Sequence, residues 1–292
     1  DRGIDVQDYE LDGVSAMKIV DGVTEGYAWG KEYLDALLEA TAMPSLAGYV
    51  MERLRCLFED SLGSNCIGQI HVPDERPSHL RGVAKDDYID LNSCYLKQSY
   101  GRFGTVLPCV DPQKLSPNGL EALALMGVTV DLDAQKVVWA LIDLDWISPE
   151  QQLPMLAWLD AQAKEKLTDP TELASFKAMI CDFEDVTLLV QPTNADRISS
   201  EGRRVGVKDC CWFEGSSAQW IADLLGLPNI APAYALARTL FVDVVKVGQS
   251  FTVEELCLVL DSVSDMLMDD TSPSDEPQRA LAITSLLRLP EQ

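Results

Sequence analysis

Val128-Thr129-Val130-Asp131-Leu132-Asp133 alternates apolar and polar side chains, and shortly after it Val137-Val138-Trp139-Ala140-Leu141-Ile142 is apolar throughout. Alternation at a period of two is the pattern of a half-buried strand, and a short apolar run is that of a strand covered on both faces. With Asp133-Ala134-Gln135-Lys136 between them suited to a turn, the stretch predicts a hairpin whose second strand is central in a sheet. Further strands are expected at Val186–Gln191 and Thr239–Val247.

Helices surround this centre. Tyr33, Leu34, Leu37 and Leu38 set a helical period over 31–41, and Leu46, Val50, Leu54, Leu57 and Phe58 repeat it over 43–62. Three later helices carry their own start signals. Ser148-Pro149-Glu150-Gln151 and Asp169-Pro170-Thr171-Glu172 each supply a capping oxygen, a proline at the first helical position and a reciprocal partner two residues on. Thr252-Val253-Glu254-Glu255 is a capping box, with Phe251 and Leu256 placed as a hydrophobic staple. Leu260, Val263 and Leu267 follow on one face of this helix, which should end near Asp269. Residues 271–277 read as an exposed linker, and 279–289 as a short terminal helix with Leu281, Leu286 and Leu289 available for docking.

The fold class expected is α+β or mixed α/β: a helical N-terminal region, a central β-hairpin or mixed sheet with capped helices, and C-terminal helices. Three regions are expected: 1–115, mainly helical with a basic loop; 116–270, mixed α/β; and 271–292, linker and docking helix. A short internal echo, Arg81-Gly82-Val83-Ala84-Lys85-Asp86 against Arg204-Val205-Gly206-Val207-Lys208-Asp209, would set two copies about 120 residues apart.

The chain has 292 residues, 47% of them apolar and 24% charged, the balance of a globular protein and neither a disordered tract nor a coiled-coil rod. Forty-seven acidic side chains oppose 23 basic ones, and the net charge of −24 works against direct binding of nucleic acid or an anionic membrane. Its longest apolar run, Val137–Ile142, is far short of the about 20 residues that cross a bilayer, so a soluble protein without membrane contact is expected. Charge is distributed in blocks. Residues 1–60 carry 13 acidic and 5 basic side chains, 116–195 carry 13 and 4, and 251–292 carry 9 and 2, whereas 61–115 and 196–250 each carry 6 and 6. Eight scattered cysteines in a chain of this length read as reduced thiols, which suits the cytoplasm or a particle assembled there. The chain starts at Asp1 without a methionine or a signal-like segment, so it reads as processed.

The two neutral blocks hold basic clusters in loop-like sequence: Arg76, His79, Arg81 and Lys85, then Arg197, Arg203, Arg204 and Lys208. Concentrated charge on loops suits recognition, so these side chains, with Leu281 and Leu286, are candidate partner contacts. Asp143-Leu144-Asp145, at the carboxyl end of the expected central strand and just before a helix, is the candidate catalytic and metal pair. Two close carboxylates there suit Mg²⁺. The pair resembles the first motif of haloacid-dehalogenase-type phosphatases over one short stretch, from which Trp146-Ile147 depart. That resemblance implies an aspartate nucleophile in phosphoryl transfer. Cys210-Cys211, beside Arg203, Arg204 and Lys208, are candidate activated thiols. Trp158 and Trp220 are candidate partner anchors. Gly26-Tyr27-Ala28-Trp29-Gly30-Lys31-Glu32 is not a phosphate loop, because Glu25 and Glu32 occupy the positions of its first glycine and its hydroxyl ligand.

These features favour a non-enzymatic structural or interaction protein, a subunit of a larger assembly of the kind found in viral particles, whose partners are other protein subunits, same or different, and which needs no cofactor. One alternative is a Mg²⁺-dependent phosphatase or phosphotransferase using Asp143 and Asp145. The other is an acidic nucleic-acid mimic that inhibits a DNA-binding enzyme.

Overall fold

The computed structural model describes residues 31–58, 70–77, 88–112, 114–145, 147–190 and 202–268. The architecture is α+β, with long helices and small sheets of two strands. Two units partition the chain, Asp1–Asp133 and Ala134–Gln292, so the boundary expected after residue 115 falls inside the first. The expected linker and docking helix, 271–292, with Leu281 and Leu286, lie outside the described residues.

In the first unit, helices α1 (Lys31–Ala42) and α2 (Ala47–Phe58) form an antiparallel hairpin closed by the turn at 43–46. Leu34, Leu37, Leu38, Val50, Met51 and Leu54 bury the inner faces that the helical period predicts. Strands β1 (His71–Pro73) and β2 (Tyr88–Asp90) pair antiparallel, and the chain then passes through a 3₁₀ turn, Leu91–Ser93, to Cys94. Strand β3 (Tyr95–Leu96) runs parallel to β4 (Cys109–Val110) on one side and bridges Thr129 on the other. Between β3 and β4 lie the short helix α3 (Lys97–Tyr100) and a 3₁₀ turn, Gly101–Phe103. Helix α4 (Pro117–Leu125) starts where the Ser116 hydroxyl accepts the Gly119 N–H at 2.9 Å, with Pro117 at the first position. Its Gly119 faces Thr41 of α1, and Asn118 donates to the Thr41 carbonyl, so α1, α2 and α4 share one core with both strand pairs.

The second unit opens with a correction. Val137–Ile142 is not a strand but part of helix α5 (Ala134–Asp143), which buries Ala134, Val137, Val138, Ala140 and Leu141. A helix satisfies its own backbone groups, so an apolar run covered from several sides folds as readily that way as in a sheet. The expected hairpin therefore does not form, and Val128–Asp133 contributes only the Thr129 bridge. Helices α6 (Pro149–Lys166) and α7 (Pro170–Met179) begin at the expected caps. The Ser148 N–H donates to Gln151 Oε1 at 2.9 Å, and Asp169 accepts from Thr171 N–H at 2.7 Å. After a 3₁₀ turn, Cys181–Asp185, strands β5 (Thr187–Val190) and β6 (Arg203–Gly206) pair antiparallel, the first where a strand was expected. Helix α8 (Ser216–Leu224) and helix α9 (Val253–Met268) follow, the latter closed by the expected Thr252–Glu255 capping box. Thr239–Val247, read as a strand, holds a π-helical turn, Leu240–Val245. Its first amide, Leu240 N–H, donates at 2.7 Å to the buried Asp160 carboxylate of α6, and Lys246 ends it at φ 64°. The tertiary bond at its start outweighs the strand preference of its β-branched residues.

The two units contain the same construction. Each has a two-helix hairpin, then an antiparallel strand pair, a 3₁₀ turn, a buried cysteine and a short extended segment bridged on both sides in parallel. The registers correspond residue for residue: His71 pairs with Asp90 and Thr187 with Gly206, each 116 positions on. Leu91 N–H donates to the Ile70 carbonyl at 2.8 Å, and Val207 N–H to that of Val186 at 2.9 Å. Cys94 Sγ donates to the Asp90 carbonyl at 3.5 Å, and Cys210 Sγ to that of Gly206 at 3.3 Å. The extended segments are held alike, Tyr95 N–H on Pro108 O and Leu96 N–H on Thr129 O, against Cys211 N–H on Pro228 O and Trp212 N–H on Gly248 O. A positive-φ residue sits two positions before each distal bridge, Gly127 (87°) before Thr129 and Lys246 (64°) before Gly248. Five positions beyond each bridge a helix begins, α5 at Ala134 and α9 at Val253. The chain is an internal structural repeat. Its register differs from the echo in the sequence: Arg204–Asp209 corresponds to Tyr88–Ser93, while Arg81–Asp86 lies outside the described residues.

Candidate functional site

The basic side chains expected to meet a partner are placed differently in the two units. Arg76 is nearly buried and grips the buried Asp74 carboxylate through Nε (3.0 and 3.2 Å) and Nη2 (2.8 Å), while its backbone N–H donates to the same group. This is a structural fork that fixes the chain after β1. His79, Arg81, Lys85 and Arg197 lie outside the described residues. Arg203 and Arg204 on β6 and Lys208 on the following 3₁₀ turn are exposed. Arg203 Nη2 donates to the Gly226 carbonyl just past the end of α8 (2.8 Å), and Arg204 Nη2 to the Ile147 carbonyl (3.1 Å). Each arginine thus spends one donor on the fold and keeps its charge at the surface.

Asp143 and Asp145 do not stand at a strand end. Asp143 is the last residue of α5 and Asp145 follows it, both exposed. The premise that carried them as a catalytic or Mg²⁺ pair, carboxylates at the carboxyl end of a central strand, is therefore overturned. Among the described residues no group of three or more His, Cys, Asp or Glu side chains is placed to hold a metal ion. Nor does any described helix have the length and apolarity to cross a membrane.

The neighbouring arginines do not activate Cys210 and Cys211. Burial outweighs them and pushes both thiols up to about 12, so at neutral pH neither is a thiolate. Cys94, the counterpart of Cys210, is also pushed up to about 12, chiefly by burial, with the Asp74 carboxylate adding to it. Trp220 is half-buried and packs against the cluster of Ile221 and Val259.

The surface that sequence reading missed lies on α9. Val259 is buried with Ile221 of α8, yet Val253 is 77% exposed, Leu260 is 54% exposed and Cys257 is exposed. These three residues recur at i, i+4 and i+7, which aligns them in one stripe. Leu260, part of the one apolar face expected on this helix, is thus exposed. Laid start on start, the corresponding residues of α5 are Ala134, Val138 and Leu141, with exposures of 4%, 0% and 0%. Helix α5 packs against α6, α7 and the 3₁₀ turn Cys181–Asp185, and Trp139 Nε1 donates to Asp182 at 3.0 Å. The signal was present in the sequence: Val253-Glu254-Glu255-Leu256-Cys257-Leu258-Val259-Leu260 has more apolar positions than one buried face can use. No known family model, curated protein or solved structure matches this chain.

Proposed function

We propose that this chain is a non-enzymatic structural protein built from repeats, one that works by docking other protein surfaces within a larger assembly. The observation that supports this reading is what the two copies share. Equivalent positions differ in polar chemistry, His71 against Thr187, Asp90 against Gly206, Asn92 against Lys208 and Tyr95 against Cys211, while the backbone bonds and the buried cysteine coincide. An enzyme needs reactive groups held in one constellation, whereas a docking scaffold needs only the shape. The exposed Arg203, Arg204 and Lys208 are proposed contacts for an acidic partner.

Capture of the tagged chain with its partners from its native source, at low and at high salt, tests the reading. Stoichiometric recovery of identified structural proteins, weakened by Lys208→Glu without loss of fold, is the expected result. Lys208 is the cleaner probe because Arg203 and Arg204 also hold backbone carbonyls. A turnover with Mg²⁺ that Asp143→Asn and Asp145→Asn abolish would contradict it.

A further inference from the structure

We infer that the exposed apolar stripe of α9 is a docking face for the α1–α2 helical hairpin of a second copy of this chain. The inference rests on the docking reading above and names its partner.

The internal repeat says what covers such a face. Helix α5 occupies the same place after the first construction that α9 occupies after the second, five positions beyond the distal bridge. What packs on α5 is the two-helix hairpin α6–α7 with the 3₁₀ turn that follows it. On α5 the stripe of Ala134, Val138 and Leu141 is buried; on α9 the stripe of Val253, Cys257 and Leu260 keeps its apolar character but is open. Apolar residues at i, i+4 and i+7 on an exposed face are what a helix presents to another helical element.

The complement exists on the same chain. The hairpin α1–α2 stands before the first strand pair as α6–α7 stands before the second. Its helix α2 carries an exposed Tyr49, 42% accessible, and an exposed Cys56. Glu254 and Asp261, exposed beside the α9 stripe, suit the half-exposed Arg53 of α2. Because α9 and α1–α2 are different surfaces, each contact joins unlike faces of two copies.

The purified full-length chain tests this by sedimentation velocity from micromolar to millimolar concentration. The expected result is a mass that rises from one copy to two or more with concentration. Val253→Asp with Leu260→Asp should abolish the rise, as should Tyr49→Asp, with unchanged circular dichroism and melting in each. Mixing the α9 double variant with the α2 variant should restore association and stop it at one copy of each, since one intact α9 then meets one intact hairpin. A short bismaleimide should join Cys257 of one copy to Cys56 of another in mixtures of isotopically labelled and unlabelled chain. A single-copy mass throughout overturns the inference, as does association that survives the α9 double variant. If such a monomeric chain still captures identified proteins through α9, the docking reading stands and only the second copy is wrong; if it captures none, both fail.

Discussion

Gly127 and Lys246 occupy equivalent positions in the repeat, and substitution at each should shift stability in opposite directions. Gly127 has φ 87°, and a Cβ there would sit 2.8 Å from Asn92 Cβ and 3.2 Å from Asn92 Cα. The obstruction is backbone of the 3₁₀ turn Leu91–Ser93, not the far end of a flexible side chain. Gly127→Ala therefore carries about 1–2 kcal/mol for a left-handed non-glycine residue and about 1–3 kcal/mol for overpacking, about 2–5 kcal/mol together. Gly226, at φ 66° with nothing within 4 Å of its would-be Cβ, ends α8 with the same two backbone bonds by which Gly127 ends α4, and isolates the first contribution, so Gly226→Ala should cost only about 1–2 kcal/mol. Lys246 already bears the left-handed strain at φ 64°. Lys246→Gly relieves about 1–2 kcal/mol and loses about 0.5–1 kcal/mol to the freer unfolded chain, for a net gain of up to about 1.5 kcal/mol. Urea denaturation at constant m reads all three from midpoint shifts. The reasoning is refuted if Gly127→Ala costs no more than Gly226→Ala, or if Lys246→Gly destabilises.

Other outcomes follow from the same structure. Asp160→Ala leaves the buried Leu240 amide without its acceptor and frees Lys164, so it should cost about 2–4 kcal/mol in the same urea assay, with Asp160→Asn milder because Oδ1 remains; equal losses would contradict the hydrogen bond. Tyr234→Phe removes the hydroxyl that donates to Gln152 Oε1 and accepts from Leu189 N–H, at a cost of about 1–3 kcal/mol by thermal melting, and a neutral variant would contradict that role. Cys94, Cys210 and Cys211 ionise near 12 when folded against 9.0 for a free thiol, so the unfolded state releases protons first. Stability should be full below pH 9 and fall between pH 9 and 12, a loss that alanine at all three positions reduces; equal urea midpoints at pH 7 and pH 10 would contradict it. In the native chain a maleimide should label the exposed Cys56, Cys181 and Cys257 and spare these three buried thiols, which mass spectrometry of digests reads directly.

The parts of the fold legible in the sequence are those fixed by local chemistry. The caps at Ser148, Asp169 and Thr252 set three helix starts, because a side-chain oxygen next to a run of orphan amides has few other uses. The β-branched and apolar runs were less informative. Val137–Ile142 and Leu240–Val245 both read as strands and both coil, the first because helices and a 3₁₀ turn cover it, the second because a buried carboxylate holds its first amide. No local pattern carries those tertiary partners. The repeat was nearly hidden: with residues 70–96 set on 186–212 without a gap, the identities are Arg81 with Arg197 and Cys94 with Cys210. The alternation of acidic and neutral blocks follows it more faithfully. The acidic blocks 1–60 and 116–195 hold the two helical hairpins, and the neutral blocks hold β1, β2 and β6, with β5 at the end of the second acidic block. The candidate pair Asp143 and Asp145 depended on the strand, so it lost its setting when the strand became a helix. The α9 stripe showed in the sequence only as a surplus of apolar positions: its meaning lies in the contrast with α5, which the shared construction reveals.

The central claim is that one hydrogen-bonded construction is built twice, 116 residues apart at its strand pairs. Scalar couplings across backbone hydrogen bonds, measured by NMR on the deuterated chain, test it bond by bond. The account predicts couplings from Leu91 N–H to the Ile70 carbonyl and from Val207 N–H to the Val186 carbonyl, with matching pairs Leu96 to Thr129 and Trp212 to Gly248. Couplings in one copy that are absent in the other, or shifted there to a different register, would contradict it.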